Sequence, residues 1–176
     1  MAHFRVISTK ESPNEQIKSE IQAHHFFIQK GIVHKEFVPP GQTMNLTFYL
    51  QVLERLRNRV RRVRDETADK LFLHHDNAPS HTSFAVREFL VQNKITTRPH
   101  PPYSPDLAPC DFFLFPKLKT HLKGHHYGTV EDIQAAATRA LNNISSEDFL
   151  HCYEEWQQCW NRCIRSQGAY FEGDKL

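Results

Sequence analysis

The sequence predicts an α/β fold in which a mixed β-sheet is flanked by helices. Short, β-prone apolar segments alternate with longer segments whose apolar residues recur every three to four positions, a pattern typical of helices packed on a sheet. The 176 residues, 39% of them hydrophobic and 24% charged, are also the size and composition of one soluble globular domain. We therefore expect a single domain overall.

An opening β-hairpin is predicted by two apolar runs, residues 24–28 and 32–38. The tripeptide Gln29-Lys-Gly31 between them is typical of a turn. Pro39-Pro-Gly41 should end the second strand, because proline cannot donate a hydrogen bond to a neighbouring strand.

A long amphipathic helix should follow, capped by Thr43 or Asn45 and extending to about Arg64. Its apolar residues recur at helical spacing, which leaves the basic residues on the solvated faces. The basic residues of this segment are Arg55, Arg57, Arg59, Arg61, Arg62 and Arg64.

The middle of the chain is predicted to extend the sheet. Residues 70–75 have the pattern of a short buried strand, Ser80 is the expected cap of a second helix, and residues 95–98 are predicted as a further strand. The proline-rich segment 99–109 is predicted to be an irregular loop, because prolines remove backbone donors and fix φ.

The last part of the chain is predicted to form three helices, over about residues 112–122, 130–142 and 146–166. Ser145-Ser-Glu-Asp148 has the pattern of a capping sequence for the third helix. Trp156 lies in that helix one turn before a second tryptophan, and we expect both rings to pack into the core.

Two aspartates give the strongest functional signal. Asp76 follows the predicted strand 70–75, and Asp111 opens the helix that starts at residue 112, with 34 residues between the two. Carboxylates at the end of a strand and the start of a helix can supply oxygen ligands to Mg²⁺. Asn77 and His81 are predicted either to orient Asp76 or to cap the turn that follows it.

The sequence around these aspartates resembles the catalytic domain of mariner transposases, a domain also found in SET-domain/mariner fusion proteins. The resemblance covers roughly residues 24–174. It implies an RNase H-like sheet with three metal-binding aspartates, of which Asp76 and Asp111 match the second and third. The matching motifs are Gly31-Ile-Val-His-Lys-Glu-Phe-Val-Pro-Pro-Gly-Gln42, His75-Asp-Asn-Ala-Pro-Ser-His81, Val86-Arg-Glu-Phe-Leu90, Pro101-Pro-Tyr-Ser-Pro-Asp-Leu-Ala-Pro-Cys-Asp-Phe-Phe-Leu-Phe-Pro116 and Gln167-Gly-Ala-Tyr-Phe-Glu-Gly173.

The N-terminus departs from the family pattern. In Arg5-Val-Ile-Ser-Thr-Lys-Glu-Ser12, Lys10 stands where the resemblance places the first aspartate. Residues 1–23 are predicted to be a divergent, shortened segment before a catalytic domain at 24–176. Two carboxylates and one ammonium carry a formal charge of −1 where three carboxylates carry −3. The ancestral activity, Mg²⁺- or Mn²⁺-dependent DNA cleavage and strand transfer, is therefore predicted to be impaired.

Other interpretations remain open. Glu11, or another N-terminal carboxylate such as Glu15 or Glu20, is a candidate substitute ligand that would make the chain an active nuclease. The chain is otherwise predicted to be a domesticated DNA-binding or dimerising module, or a gene fragment without a selected function. It has no segment resembling a SET methyltransferase domain or the family's helix-turn-helix modules.

DNA is the expected partner, bound nonspecifically and with low affinity through basic side chains, and a second copy of the chain is a further candidate. The net charge of +2 is small, so local clusters must supply this affinity. With no long apolar run and no secretory signal, a nuclear or otherwise intracellular location is expected. The candidate DNA-binding residues are Arg59, Arg61, Arg62, Lys117 and Lys119.

Overall fold

A five-stranded mixed sheet forms the centre of the protein in this computed structural model. Its strands are β1 (Phe4–Ser8), β2 (Ala23–Ile28), β3 (Gly31–Phe37), β4 (Leu71–His75) and β5 (Thr96–Thr97). Their order across the sheet is β3-β2-β1-β4-β5. The structure describes residues 4–8, 23–39, 41–42, 45–63 and 71–168.

β2 is antiparallel to both of its neighbours, β1 and β3, whereas β4 runs parallel to both β1 and β5. In the parallel pair, Phe4 lies opposite Leu71 and Ser8 opposite His75. β1 and β4 therefore end side by side in the middle of the sheet. This is the RNase H-like arrangement, so the fold class expected from the sequence is confirmed.

Helices follow the strands. They are α1 (Leu46–Val63), α2 (Pro79–Thr82), α3 (Phe84–Gln92), α4 (Phe115–Leu122), α5 (Val130–Asn142) and α6 (Ser146–Arg165). None of the helices in the described residues combines the length and apolar character needed to cross a membrane. The predicted hairpin and the predicted long helix are both confirmed.

Of the two predicted caps of α1, Asn45 is the one described. Its Oδ1 accepts a hydrogen bond from the Phe48 backbone N–H at 2.9 Å, which satisfies a free donor of the first helical turn. Thr43 lies outside the described residues.

The prediction that Ser80 caps the second helix is wrong. Ser80 lies inside the one-turn α2, which begins at Pro79, and Ser83 instead accepts a hydrogen bond from Val86 N–H at 3.4 Å at the start of α3. Pro79 fits the first turn of a helix, where its missing N–H costs nothing. Two short helices therefore replace the single helix expected here.

The proline-rich segment is more regular than predicted. A single 3₁₀ turn forms over Pro105–Leu107, again with proline in its first position. The next helix also starts earlier than residue 112, with a wider π-helical turn over Cys110–Leu114 that continues into α4.

Two apolar clusters cover the two faces of the sheet. The first, here called the α1 face, joins α1 and α3 to Phe26 and Leu73. The second, here called the α6 face, joins α4, α5 and α6 to Phe27. Phe26 and Phe27 are neighbours on β2, and their side chains enter opposite clusters because strand residues alternate between faces.

The last helix packs as predicted. Ser145 and Asp148 form a reciprocal capping box at its start. Trp156 is 2% exposed and its Nε1–H donates to the Leu107 carbonyl at 2.9 Å, which ties α6 to the 3₁₀ turn. Trp160 packs against the same cluster.

Candidate active site

Asp76 is the first residue after β4 and lies at the edge of the sheet where β1 also ends. Its side chain is 32% exposed, so the carboxylate is reachable from solvent. The backbone turns immediately afterwards into α2. The chain thus places one acidic side chain at the carboxyl end of a central parallel strand.

The Asp76 carboxylate is fixed by groups of its own turn. Oδ1 accepts a hydrogen bond from the Ala78 backbone N–H at 3.1 Å and contacts Nδ1 of His81, a fully buried side chain. Burial opposes ionisation of this carboxyl, but the hydrogen bonds from His81 and Ala78 outweigh it and lower the pKa of Asp76. Asp76 is therefore held as an oriented carboxylate.

Helix α1 packs against this turn through Tyr49. The ring of Tyr49, which is completely buried, lies 4.0 Å from the His81 ring, and its hydroxyl is 3.2 Å from Nδ1 of His75. Burial, with the nearby charge of His81, lowers the pKa of His75 to about 4. His24 from β2 completes this stack of rings.

The loop that leads to Asp111 is linked to the Asp76 turn. Asn77 Nδ2–H donates to the His100 carbonyl at 2.8 Å. Asp111 itself is half-buried in the first turn of the π-helical segment, and its N–H donates to the Ala108 carbonyl at 2.8 Å. Asp111 opens a helix, as predicted.

Hard carboxylate oxygens suit a divalent cation such as Mg²⁺ or Mn²⁺, and the ionised, part-exposed Asp76 meets that requirement. Within the described ranges, no group of three or more His, Cys, Asp and Glu side chains is arranged to hold a metal ion. The residues expected to complete or disable the site, Lys10, Glu11, Glu15 and Glu20, lie outside the described residues.

The structure separates the candidate DNA-binding residues. Arg59 and Arg62 line one cleft beside β3, whereas Arg61 is exposed and does not line it. On α4, Lys117 Nζ pairs with Asp148 at 2.6 Å, so its charge is already balanced. Lys119 lies two residues further along the same helix on the exposed side.

Two residues that support Asp76 could not be assigned that role from the sequence. Tyr49 belongs to the apolar repeat of α1, which predicts packing and no role at the site, and the sequence leaves His81 as either a cap or a partner of Asp76. His81 lies five residues after Asp76, and its Nδ1 contacts the Asp76 carboxylate across the turn. The feature that identifies His81 as a partner of Asp76 is its complete burial next to that carboxylate, and this can be seen only in the folded structure.

Two proteins are similar to this chain in sequence. Mariner Mos1 transposase of Drosophila mauritiana is 32% identical over 148 residues, which are 82% of this chain and 43% of that protein. Histone-lysine N-methyltransferase SETMAR of Homo sapiens is 26% identical over 144 residues, 81% of this chain and 21% of that protein. The chain thus spans less than half the length of these relatives. Residues 7–70 also match the family model for a transposase (partial DDE domain).

Solved structures agree with the sequence comparison. The Mos1 transposase catalytic domain with raltegravir and Mn superposes with a TM-score of 0.87 at 29% identity, covering 97% of this chain and 86% of that one. The Mos1 transposase paired-end complex with left transposon end gives a TM-score of 0.80 at 32% identity, covering 86% of this chain and 45% of that one.

Proposed function

The chain is a mariner-type transposase catalytic domain in both sequence and fold, and we propose that it is a degenerate one that binds DNA without cleaving it efficiently. The proposal rests on one contrast. Asp76 keeps a fixed, ionised carboxylate, while the sequence has Lys10 where the family pattern requires the first of three aspartates.

In this proposal Asp76 and Asp111 are the two surviving ligands of a divalent cation. A bound Mg²⁺ or Mn²⁺ supplies Lewis-acid stabilisation of the charge that develops during phosphodiester cleavage. His81 and the Ala78 N–H hold Asp76 Oδ1, which leaves the second carboxylate oxygen to face a ligand. Asn77 keeps the loop that precedes Asp111 near this turn.

Electrostatics explain the proposed impairment. Three carboxylates offset most of the charge of two divalent ions, whereas two carboxylates and an ammonium offset little. Lys10 would also compete with a cation for the same position. The chain is therefore expected to hold at most one metal ion, and weakly.

DNA is the proposed partner because the homologous Mos1 complex contains a transposon end. The exposed Arg59, Arg62 and Lys119 side chains can contact phosphates without reading bases, which favours nonspecific, low-affinity binding. A second copy of the chain is a further proposed partner, since the same complex is a paired-end assembly. With DNA as the partner, the proposed location is nuclear or otherwise intracellular.

A nicking assay on supercoiled plasmid with Mg²⁺ or Mn²⁺ tests the impairment. We expect the wild-type chain to show no metal-dependent nicking above its Asp76→Ala variant. We expect Lys10→Asp to restore the third carboxylate and raise nicking on the order of tenfold or more, an effect of only about 1.4 kcal/mol on the barrier. Adding Asp76→Ala to Lys10→Asp should remove the gain.

Two results contradict the proposal. Nicking by the wild-type chain that Asp76→Ala abolishes would identify an active nuclease, and loss of that nicking in Glu11→Gln would name the substitute ligand. Failure of Lys10→Asp to gain any nicking, in a protein that still unfolds cooperatively, would show that Lys10 is not the position that disables the site.

A further inference from the structure

We propose that the cleft between the edge strand β3 and the last turns of α1 is the site where the phosphate backbone of a polynucleotide binds. This inference rests on the proposed affinity for DNA and assigns it to one place. The cleft has a volume of about 630 Å³ and lies away from Asp76, against the opposite edge strand of the sheet from β5. Its cationic and amide side chains are Lys35, Arg55, Arg59, Arg62, Asn58 and Asn142.

Helical spacing selects which arginines face the cleft. Arg55, Arg59 and Arg62 are separated by four and three residues, so they form one stripe along α1. Arg57 and Arg61, also four residues apart, lie on a different side of the helix and do not line the cleft. The run of arginines therefore divides into a cleft stripe and a second pair, the half-buried Arg57 and the exposed Arg61, here called the outer pair.

The charge of the cleft is poorly balanced from within. None of the described residues that line it is acidic. Glu36, next to Lys35 on β3, pairs with Arg55 through both carboxylate oxygens, and His34 Nε2 lies 3.0 Å from one of them. Among the residues that the structure describes, Arg59 and Arg62 have no carboxylate partner. Burial also lowers the pKa of Lys35, because a partly desolvated ammonium loses some of the hydration that stabilises its charge.

Shape favours a polymer over a single anion. The stripe extends over seven residues, about 10 Å along the helix axis. One strand of a duplex rises about 3.4 Å along the duplex axis per phosphate, and its backbone also winds around that axis, so about two or three consecutive phosphates can lie along the stripe. Asn58 and Asn142 add neutral donors beside the cations. Contacts of this kind fix a backbone without reading sequence.

The test compares two double variants by fluorescence anisotropy with a labelled duplex that carries no transposon end. Arg59→Gln with Arg62→Gln removes two charges from the cleft, and Arg57→Gln with Arg61→Gln removes two from the outer side of the same helix. We expect the slope of log affinity against log salt to become shallower by about 2 for the cleft pair, and to change little for the outer pair.

Glu36→Gln provides a variant whose expected effect cannot arise from misfolding. It removes the carboxylate that neutralises Arg55, so we expect tighter binding of the same duplex and a steeper salt slope by about 1. Weaker or unchanged binding by a folded Glu36→Gln protein would overturn the assignment of the cleft.

The outcomes separate this inference from the proposed function. If the wild-type chain binds the duplex and both double variants lose affinity equally, the cleft assignment fails and the DNA-binding proposal stands. If the wild-type chain shows no salt-dependent binding, both fail. A selective loss in the cleft pair, together with a gain in Glu36→Gln, supports the cleft.

Discussion

The two faces of the sheet use the same residue type in opposite ways. Neighbouring histidines occur on β2 and on β4, and each pair sends one ring to each face. His24 and His75 reach the α1 face, where they meet Tyr49 and His81 beside Asp76. His25 and His74 reach the α6 face, where they lie among aromatic rings.

The histidines of the α1 face support a polar group, the Asp76 carboxylate, whereas those of the α6 face pack among apolar rings. On the α1 face the row of packed rings ends at His81, which contacts the Asp76 carboxylate, so the buried rings hold that carboxylate in place. On the α6 face His25 is 2% exposed, and neither ring nitrogen has a hydrogen-bond partner within the described part of the chain. Changes on the α6 face should therefore act mainly on stability, and changes on the α1 face should alter the protonation of Asp76.

The largest expected effect is on the α6 face. Trp156→Ala should lower the free energy of unfolding by about 3–5 kcal/mol, because it removes a buried ring and opens a cavity. Trp156→Phe is the matched control: it keeps most of the apolar volume and loses the bond to Leu107, at a cost of about 1 kcal/mol for that bond. Urea unfolding measures both. Similar losses in the two variants would show that the cavity is not the main cause.

Acid should destabilise the same face through His25. Burial, with the charge of Lys35, lowers the pKa of His25 to about 4 from 6.5. Between those pH values the unfolded chain binds more protons, so stability is complete above pH 6.5 and falls towards pH 4, by roughly 3 kcal/mol. His25→Leu should unfold with a weaker pH dependence in urea titrations, and the exposed His126→Gln should not. Equal pH dependence in all three proteins would place the titrating group elsewhere.

The smallest expected loss of stability is on the α1 face, where the substitution should also change the pKa of Asp76. His81→Gln should cost about 2 kcal/mol, as expected for a hydrogen bond to a charged group, and should raise the pKa of Asp76. NMR titration of the Asp76 carboxyl measures the shift. Asn77→Ala is the control, because it removes the bond to His100 and leaves His81 in place. An unchanged Asp76 pKa in His81→Gln would break the distinction between the faces.

Much of the fold could be predicted from local patterns. The hairpin, α1, α5 and α6 follow from apolar periodicity and from caps such as Asn45 and Ser145, whose effects act within a few residues. The prediction for Ser80 is wrong because Ser80 and Ser83 are equally good caps in sequence. Pro79 decides between them by starting a separate one-turn helix.

The support of the site was less predictable. Asp76 and Asp111 stand out in sequence, but the contact of Tyr49 with His81 joins residues 32 positions apart and depends on how α1 packs on the sheet. The division of the arginine run follows from helical spacing, yet which stripe faces a cleft depends on β3. Long-range packing decides both.

The local origin of the contacts that hold Asp76 has an evolutionary consequence. Ala78 and His81 lie within five residues of it, and β1 joins the sheet through main-chain pairing that does not depend on side-chain identity. A lineage can therefore lose the first acidic position without eroding the scaffold around the second. Under the proposed loss of the first aspartate, a domain of this kind can lose catalysis and keep its fold, and the folded chain stays available for selection to recruit.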